Sequence, residues 1–106
     1  MGSLSEQSGV VRAAIAANRD ALGEVLRRYR ARNPRLFGSV ARGDARADSD
    51  VDVLVDLDPD AGNPLLRVAG IGEEFGRILG VRVDVVADAL LREPVSSTAH
   101  RDLVAL

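Results

Sequence analysis

Gly38-Ser39 and, with ten residues between, Asp50-Val51-Asp52 combine a tight turn able to hold phosphate with two carboxylates able to hold a divalent cation. Together they point to nucleotidyl transfer. Val51, Val53, Val55 and Leu57 alternate with Asp52, Leu54 and Asp56, the period-two pattern of a half-buried strand, so Asp50 and Asp52 project together from the face opposite the valines. Side chains two apart on a strand stand roughly 7 Å apart. At an effective dielectric near 20, two negative charges at about that distance repel by about 2.4 kcal/mol. A cation would relieve that repulsion.

A second strand is expected over Val81-Arg82-Val83-Asp84-Val85-Val86, with the valines on one face and Arg82 and Asp84 on the other. Placed beside the first strand, it would add Asp84 as a third carboxylate. Three oxygen donors on one sheet face suit Mg²⁺, which prefers carboxylate, water and phosphate oxygens. The absence of cysteine and the presence of a single histidine, His100, argue against zinc. Two Mg²⁺ ions would hold a triphosphate and stabilise both the entering and the leaving oxygen of an in-line displacement, with Asp50 and Asp52 bridging them.

Gly38-Ser39 follows the short run Arg35-Leu36-Phe37 and precedes Val40-Ala41-Arg42, an order that reads as strand, turn and helix start. Glycine lets the backbone approach phosphate closely, the amides opening the helix point at an anion, and Ser39 adds a hydroxyl donor. Two other motif readings fail on their own residues. Gly38-x₄-Gly43 begins like a P-loop, yet Asp44 and Ala45 stand where Lys and Ser/Thr are needed. Asp48-x-Asp50-x-Asp52 begins like an EF-hand loop, yet Val53 replaces the turn glycine and Pro59 the closing glutamate. The bland alternative, a solvated acidic strand edge beside an ordinary turn, would need the turn, the spacing, the strand phase and Asp84 to coincide by chance.

The run Leu36-Phe37-Gly38-Ser39-Val40-Ala41-Arg42-Gly43-Asp44, continued by Asp48-Ser49-Asp50-Val51-Asp52-Val53-Leu54-Val55, resembles the signature of the DNA polymerase β-like nucleotidyltransferase superfamily. Within it the match is to the minimal nucleotidyltransferase branch, and Asp84 stands where that family has its third carboxylate. The resemblance implies that Gly38, Ser39 and Arg42 bind nucleotide, Arg42 matching a phosphate-contacting arginine with a planar, permanently charged fork. It implies that Asp50, Asp52 and Asp84 are catalytic and ligate metal, Asp84 nearest the nucleophile and placed to take the acceptor's proton. It implies an α+β, polymerase β-like fold: a small mixed sheet with the carboxylates on one face and helices packed on the other.

The elements that must position these residues follow from pattern. Val11, Ile15, Leu22, Val25, Leu26 and Tyr29 recur at helical spacing, so one amphipathic helix is expected over about residues 8–31, ending before Asn33-Pro34. Strand one, the turn and its short helix, and strand two to about Leu57 come next, with Asp58-Pro59-Asp60-Ala61-Gly62 as a loop. Asn63 can cap a second long helix with Pro64 at its first position, and Gly80 is placed to end it. Leu65, Val68, Ile71, Phe75 and Ile78 form its expected buried stripe, and Gly70, Gly72 and Gly76 suggest close packing or local mobility. After strand three a short helix or tail is expected, with Pro94 as its start. The order is α-β-α-β-α-β-α.

At 106 residues the chain is expected to form one domain, residues 1–106, whose core is Val, Leu, Ile and Ala, since 46% of it is hydrophobic and only 3% aromatic. All fourteen basic residues are arginine, the net charge is −2 and tryptophan is absent, which argues against general nucleic-acid binding. No stretch is long and apolar enough to span a membrane, and Arg12 interrupts the one N-terminal candidate for a signal core, so a cytoplasmic protein is expected.

Larger superfamily members attach domains that grip a sugar, an antibiotic or a primer. A chain this short offers little surface for an acceptor, so another polypeptide is expected to supply it. In the minimal branch that partner is typically a HEPN-domain ribonuclease toxin, which the antitoxin inactivates by transferring AMP from ATP to a tyrosine. The resemblance thus implies ATP or another nucleoside triphosphate as substrate and a cognate HEPN toxin as partner. The alternatives are an antitoxin that neutralises by binding alone, and transfer to a small molecule or an RNA end. Other residues carry weaker signals. Arg27, Arg28, Arg30, Arg32 and Arg35 read as a solvated helix terminus, with a docking surface as the alternative. Arg82 reads equally as an ion-pair partner or a substrate contact, Tyr29 as core, and His100 as a surface or packed side chain. Asp44, Asp48 and Ser49 read as loop residues.

Overall fold

Ser5 opens the first helix: its hydroxyl accepts the Ser8 amide at 3.1 Å, which caps α1 (Glu6–Ala17). The computed structural model describes residues 5–46, 48–88 and 104–106. The single helix expected over residues 8–31 is in fact two, α1 and α2 (Arg19–Arg28), divided at Asn18. The Asn18 backbone leaves the helical region, and its side-chain amide donates to Ala14 O at 2.8 Å, the local competition that makes asparagine a poor interior helix residue. The buried positions Val11, Ile15, Leu22, Val25 and Leu26 run through this break in phase, so periodicity alone could not reveal it.

Strand β1 (Ala31–Phe37) begins earlier than the sequence suggested and includes Asn33-Pro34. It pairs antiparallel with β2 (Val51–Leu57), and the register shifts between Arg32 and Arg35. That bulge accommodates a proline with no N–H and an Asn33 held at φ 55. Between these strands runs α3 (Gly38–Arg42), closed by Gly43 in the left-handed conformation. Helix α4 (Pro64–Leu79) starts at Asn63, which caps Leu65 and Leu66, and ends at Gly80, both as expected. Strand β3 (Val83–Ala87) lies parallel to β2, and β4 (Val104–Ala105) joins the far side of β1, giving the sheet order β3-β2-β1-β4. Of the short helix or tail expected from Pro94, residues 94–103, with His100, lie outside the described residues, and Val104–Ala105 form a strand that the sequence reading did not expect.

Val51, Val53, Val55 and Val83 form one sheet face, and Val11, Ile15, Leu22, Val25, Leu26, Val68, Ile71 and Phe75 cover it from α1, α2 and α4. Leu65 departs from the expected stripe: it is 65% exposed in the first turn of α4, and burial begins at Arg67 and Val68. The glycines of α4 serve close packing. A Cβ on Gly70 would lie 2.5 Å from the Tyr29 ring, and on Gly72 and Gly76 it would press on Val83 O at 3.2 Å and Val81 O at 3.1 Å. Tyr29 packs on the core, as expected, and its hydroxyl donates to Glu74 at 2.6 Å. No helix among the described residues is long and apolar enough to cross a membrane.

Candidate functional site

Strand register places the carboxylates. Asp52 and Asp84 are direct partners across the parallel β2–β3 pair, and Asp52 also faces Phe37, the residue before Gly38, across the β1–β2 pair. One end of the sheet therefore gathers the turn, Asp52 and Asp84 on the face opposite the helices. Gly38 sits at φ +73, and a Cβ built on it would collide with Asp52 Oδ2. Only glycine both adopts that backbone and leaves room for the carboxylate. Ser39 and Arg42 follow on α3, whose N-cap residue, Phe37, makes no side-chain capping bond. Arg42 Nε donates to Asp44 at 3.4 Å.

Electrostatics report the same proximity. Burial first, then the charges of Asp84 and Asp50, raise the Asp52 carboxyl to about 6, with Arg42 working against them. Asp50 lies just ahead of β2, 3.7 Å from Arg82 Nη1. Arg82 therefore serves as an ion-pair partner here. Beside this pair Asp48, Ser49, Gly80 and Val81 line an open cleft of about 420 Å³. Among the described residues no three acidic, histidine or cysteine side chains converge closely enough to hold a metal ion, so Asp50 and Asp84 act on Asp52 through their charge without the three meeting at one point. The donor set nevertheless fits a hard divalent cation: all oxygen, with a half-buried carboxylate pressed by two like charges.

Four of the five arginines of the basic cluster are paired. Arg27 pairs with Glu24, Arg28 with Glu74 at 2.5 Å, Arg32 with Asp58, and Arg35 with Asp56 at 2.8 Å. Two arginines escaped the sequence reading. Arg67, only 8% exposed, donates to the carbonyls of Tyr29, Asp58 and Arg30 and ties α4 to the far end of β2. Its signal was its place on the buried stripe, four residues before Ile71. Arg12 donates from α1 to the last carbonyls of α3; no sequence pattern marks it.

The family model described as a nucleotidyltransferase domain matches residues 19–104. The protein adenylyltransferase MntA of Thermococcus cleftensis is 37% identical over 81 residues, 76% of this chain and 80% of that protein. A solved chain assigned as a minimal nucleotidyltransferase superposes with a TM-score of 0.74 at 37% identity, over 89% of this chain and 94% of the other. A toxin–antitoxin crystal structure with AMP-PNP has the same fold, with a TM-score of 0.68 at 19% identity, over 83% of this chain and 71% of the other.

Proposed function

The chain belongs to the nucleotidyltransferase domain family and is a nucleotidyltransferase, and we propose that it transfers AMP from ATP to a tyrosine of a partner HEPN toxin. The observation that carries the reading is the apposition of Gly38 to the Asp52 carboxylate, with Asp84 in register beside it. A turn suited to phosphate and a carboxylate pair suited to cations serve one reaction only if they meet. Protein acceptors and AMP are favoured by the 37% identical adenylyltransferase, and a toxin partner by the fold shared with the toxin–antitoxin structure.

Asp50, Asp52 and Asp84 are the residues that would hold divalent ions, taken as two Mg²⁺. Bound there, the ions neutralise triphosphate charge and make the acceptor hydroxyl easier to ionise. The amides of Gly38 and Ser39, the Ser39 hydroxyl and the Arg42 guanidinium hold the β- and γ-phosphates in line. The tyrosine oxygen bonds to the α-phosphorus, the bond from that phosphorus to the bridging oxygen breaks, and pyrophosphate leaves. Asp84 accepts the hydroxyl proton.

The test is intact-mass analysis of the cognate toxin after incubation with this protein, ATP and Mg²⁺. Expected is a gain of one or more AMP on tyrosine and a ribonuclease that stays inactive once this protein is removed. No mass gain, together with full neutralisation by Asp84→Ala, would leave occlusion by binding as the better account.

A further inference from the structure

Helix α1 lies ahead of the segment that matches the nucleotidyltransferase domain, yet its N-cap Ser5 and its side chains Ser8 and Arg12 are bonded to the segment that carries Ser39 and Arg42 and runs on to Ala45. Arg12 Nη2 donates to Val40 O at 3.1 Å and to Ala41 O at 2.8 Å. The Ser5 amide donates to Gly43 O at 2.8 Å and the Ser5 hydroxyl to Ala45 O at 2.7 Å. Fully buried Ser8 accepts the Ala45 amide at 3.0 Å. The whole stretch from the end of α3 to Ala45 is thus fastened to one face of α1.

A helix of five residues cannot be held by its own hydrogen bonds. Something outside it must fix the direction in which Ser39 and Arg42 point. Arg12 also buries its Nε without a hydrogen-bond partner among the described residues, a placement that packing alone would not favour. The two carbonyl contacts give the guanidinium its reason to be there.

We infer that α1 is a brace for the nucleotide-binding turn and that Arg12 is its positioning residue. Its role is to the backbone of α3 and not to a bound group: among the described residues Arg12 donates only to carbonyls. It closes the C-terminal end of α3, while the serines pin the chain that leaves it. The effect on nucleotide rests on the proposed assignment of Ser39 and Arg42 to the phosphates; the fastening of α3 does not.

Arg12→Met keeps the apolar stem and removes both hydrogen bonds, whereas Arg12→Lys keeps a cationic donor group without the planar fork. Amide exchange in the nucleotide-free protein reads the brace directly, because the Gly43 and Asp44 amides both donate to Ser39 O at 2.9 Å. Relative to β2 core amides, these two should exchange at least about tenfold faster in Arg12→Met and less so in Arg12→Lys. Calorimetric titration with ATP and Mg²⁺ should give a Kd raised roughly tenfold in Arg12→Met, the cost of a misplaced binding group, and partly restored in Arg12→Lys. Arg67→Met serves as the control: it destabilises the far end of β2 and should change neither readout at a temperature where all variants are folded. If Arg12→Met does not fold, the lysine variant carries the same comparison.

Wild-type exchange at Gly43 and Asp44 in Arg12→Met would overturn the inference. So would an equal Kd shift in Arg67→Met, or an unchanged Kd in Arg12→Met while Arg42→Ala binds weakly. If Arg42→Ala also binds normally, the phosphate assignment has failed, and the exchange measurement alone decides the brace.

Discussion

Replacing Asp52 by asparagine should stabilise the metal-free protein at pH 8 and yet destroy its activity. In the folded protein the Asp52 carboxyl is raised from 3.8 to about 6, first by burial and then by Asp84 and Asp50. Below about pH 4 the group is protonated whether the chain is folded or not, so it costs the fold nothing. As the pH climbs through about 6, the folded protein must lose that proton against the field of its neighbours while the unfolded chain has already lost it, and stability falls. Taken whole, such a rise is worth about 3 kcal/mol. The carboxylate is only half-buried, and solvent screening reduces the figure to about 1–2 kcal/mol. The asparagine side chain has the same shape as the carboxylate, would still fit against Gly38, and would remove the charge. Urea unfolding followed by circular dichroism, with chelator present, should therefore find Asp52→Asn more stable by that amount at pH 8 and indistinguishable from wild type at pH 4. Added Mg²⁺ should reverse the order, stabilising wild type by about 2.7 kcal/mol at a concentration a hundredfold above Kd. A variant no more stable than wild type at pH 8, or equally favoured at both pH values, would refute the account of strained carboxylates.

Gly38→Ala should cost about 1–2 kcal/mol for the left-handed backbone alone, and the added Cβ should push Asp52 aside, lowering transfer at least roughly a hundredfold in a mass-resolved adenylylation assay. Ser39→Ala and Arg42→Ala should both weaken ATP binding by calorimetry, Arg42→Ala the more because a charge-assisted fork is lost, and Arg42→Lys should recover only part of it. Unchanged affinity in both alanine variants would remove the turn from phosphate binding.

What the sequence made legible was whatever depends on neighbours along the chain or on strand phase. Asn63-Pro64 and Gly80 bound α4 through local backbone chemistry, and the alternation around Asp52 put it on the sheet face opposite the helices before any partner strand was known. What stayed hidden depends on contacts between distant segments. Asn18 divides a helix without disturbing its apolar phase, so only the backbone reveals the break. Pro34 looks like a strand breaker until a bulge in the ladder to β2 absorbs its missing N–H. Gly38 could be read as a turn residue, but the reason no other residue serves there is the Asp52 carboxylate lying against it, which only the pairing of β1 with β2 creates. Arg12 and Arg67 are the extreme case: each directs a cation at backbone carbonyls, groups that every residue carries, so that Arg12 leaves no trace in spacing and Arg67 only its place on the buried stripe of α4. The residues proposed to do the chemistry were thus easier to read than the arginines that fasten the backbone, because carboxylates and a glycine turn carry a spacing of their own whereas the supports are aimed at carbonyl oxygens.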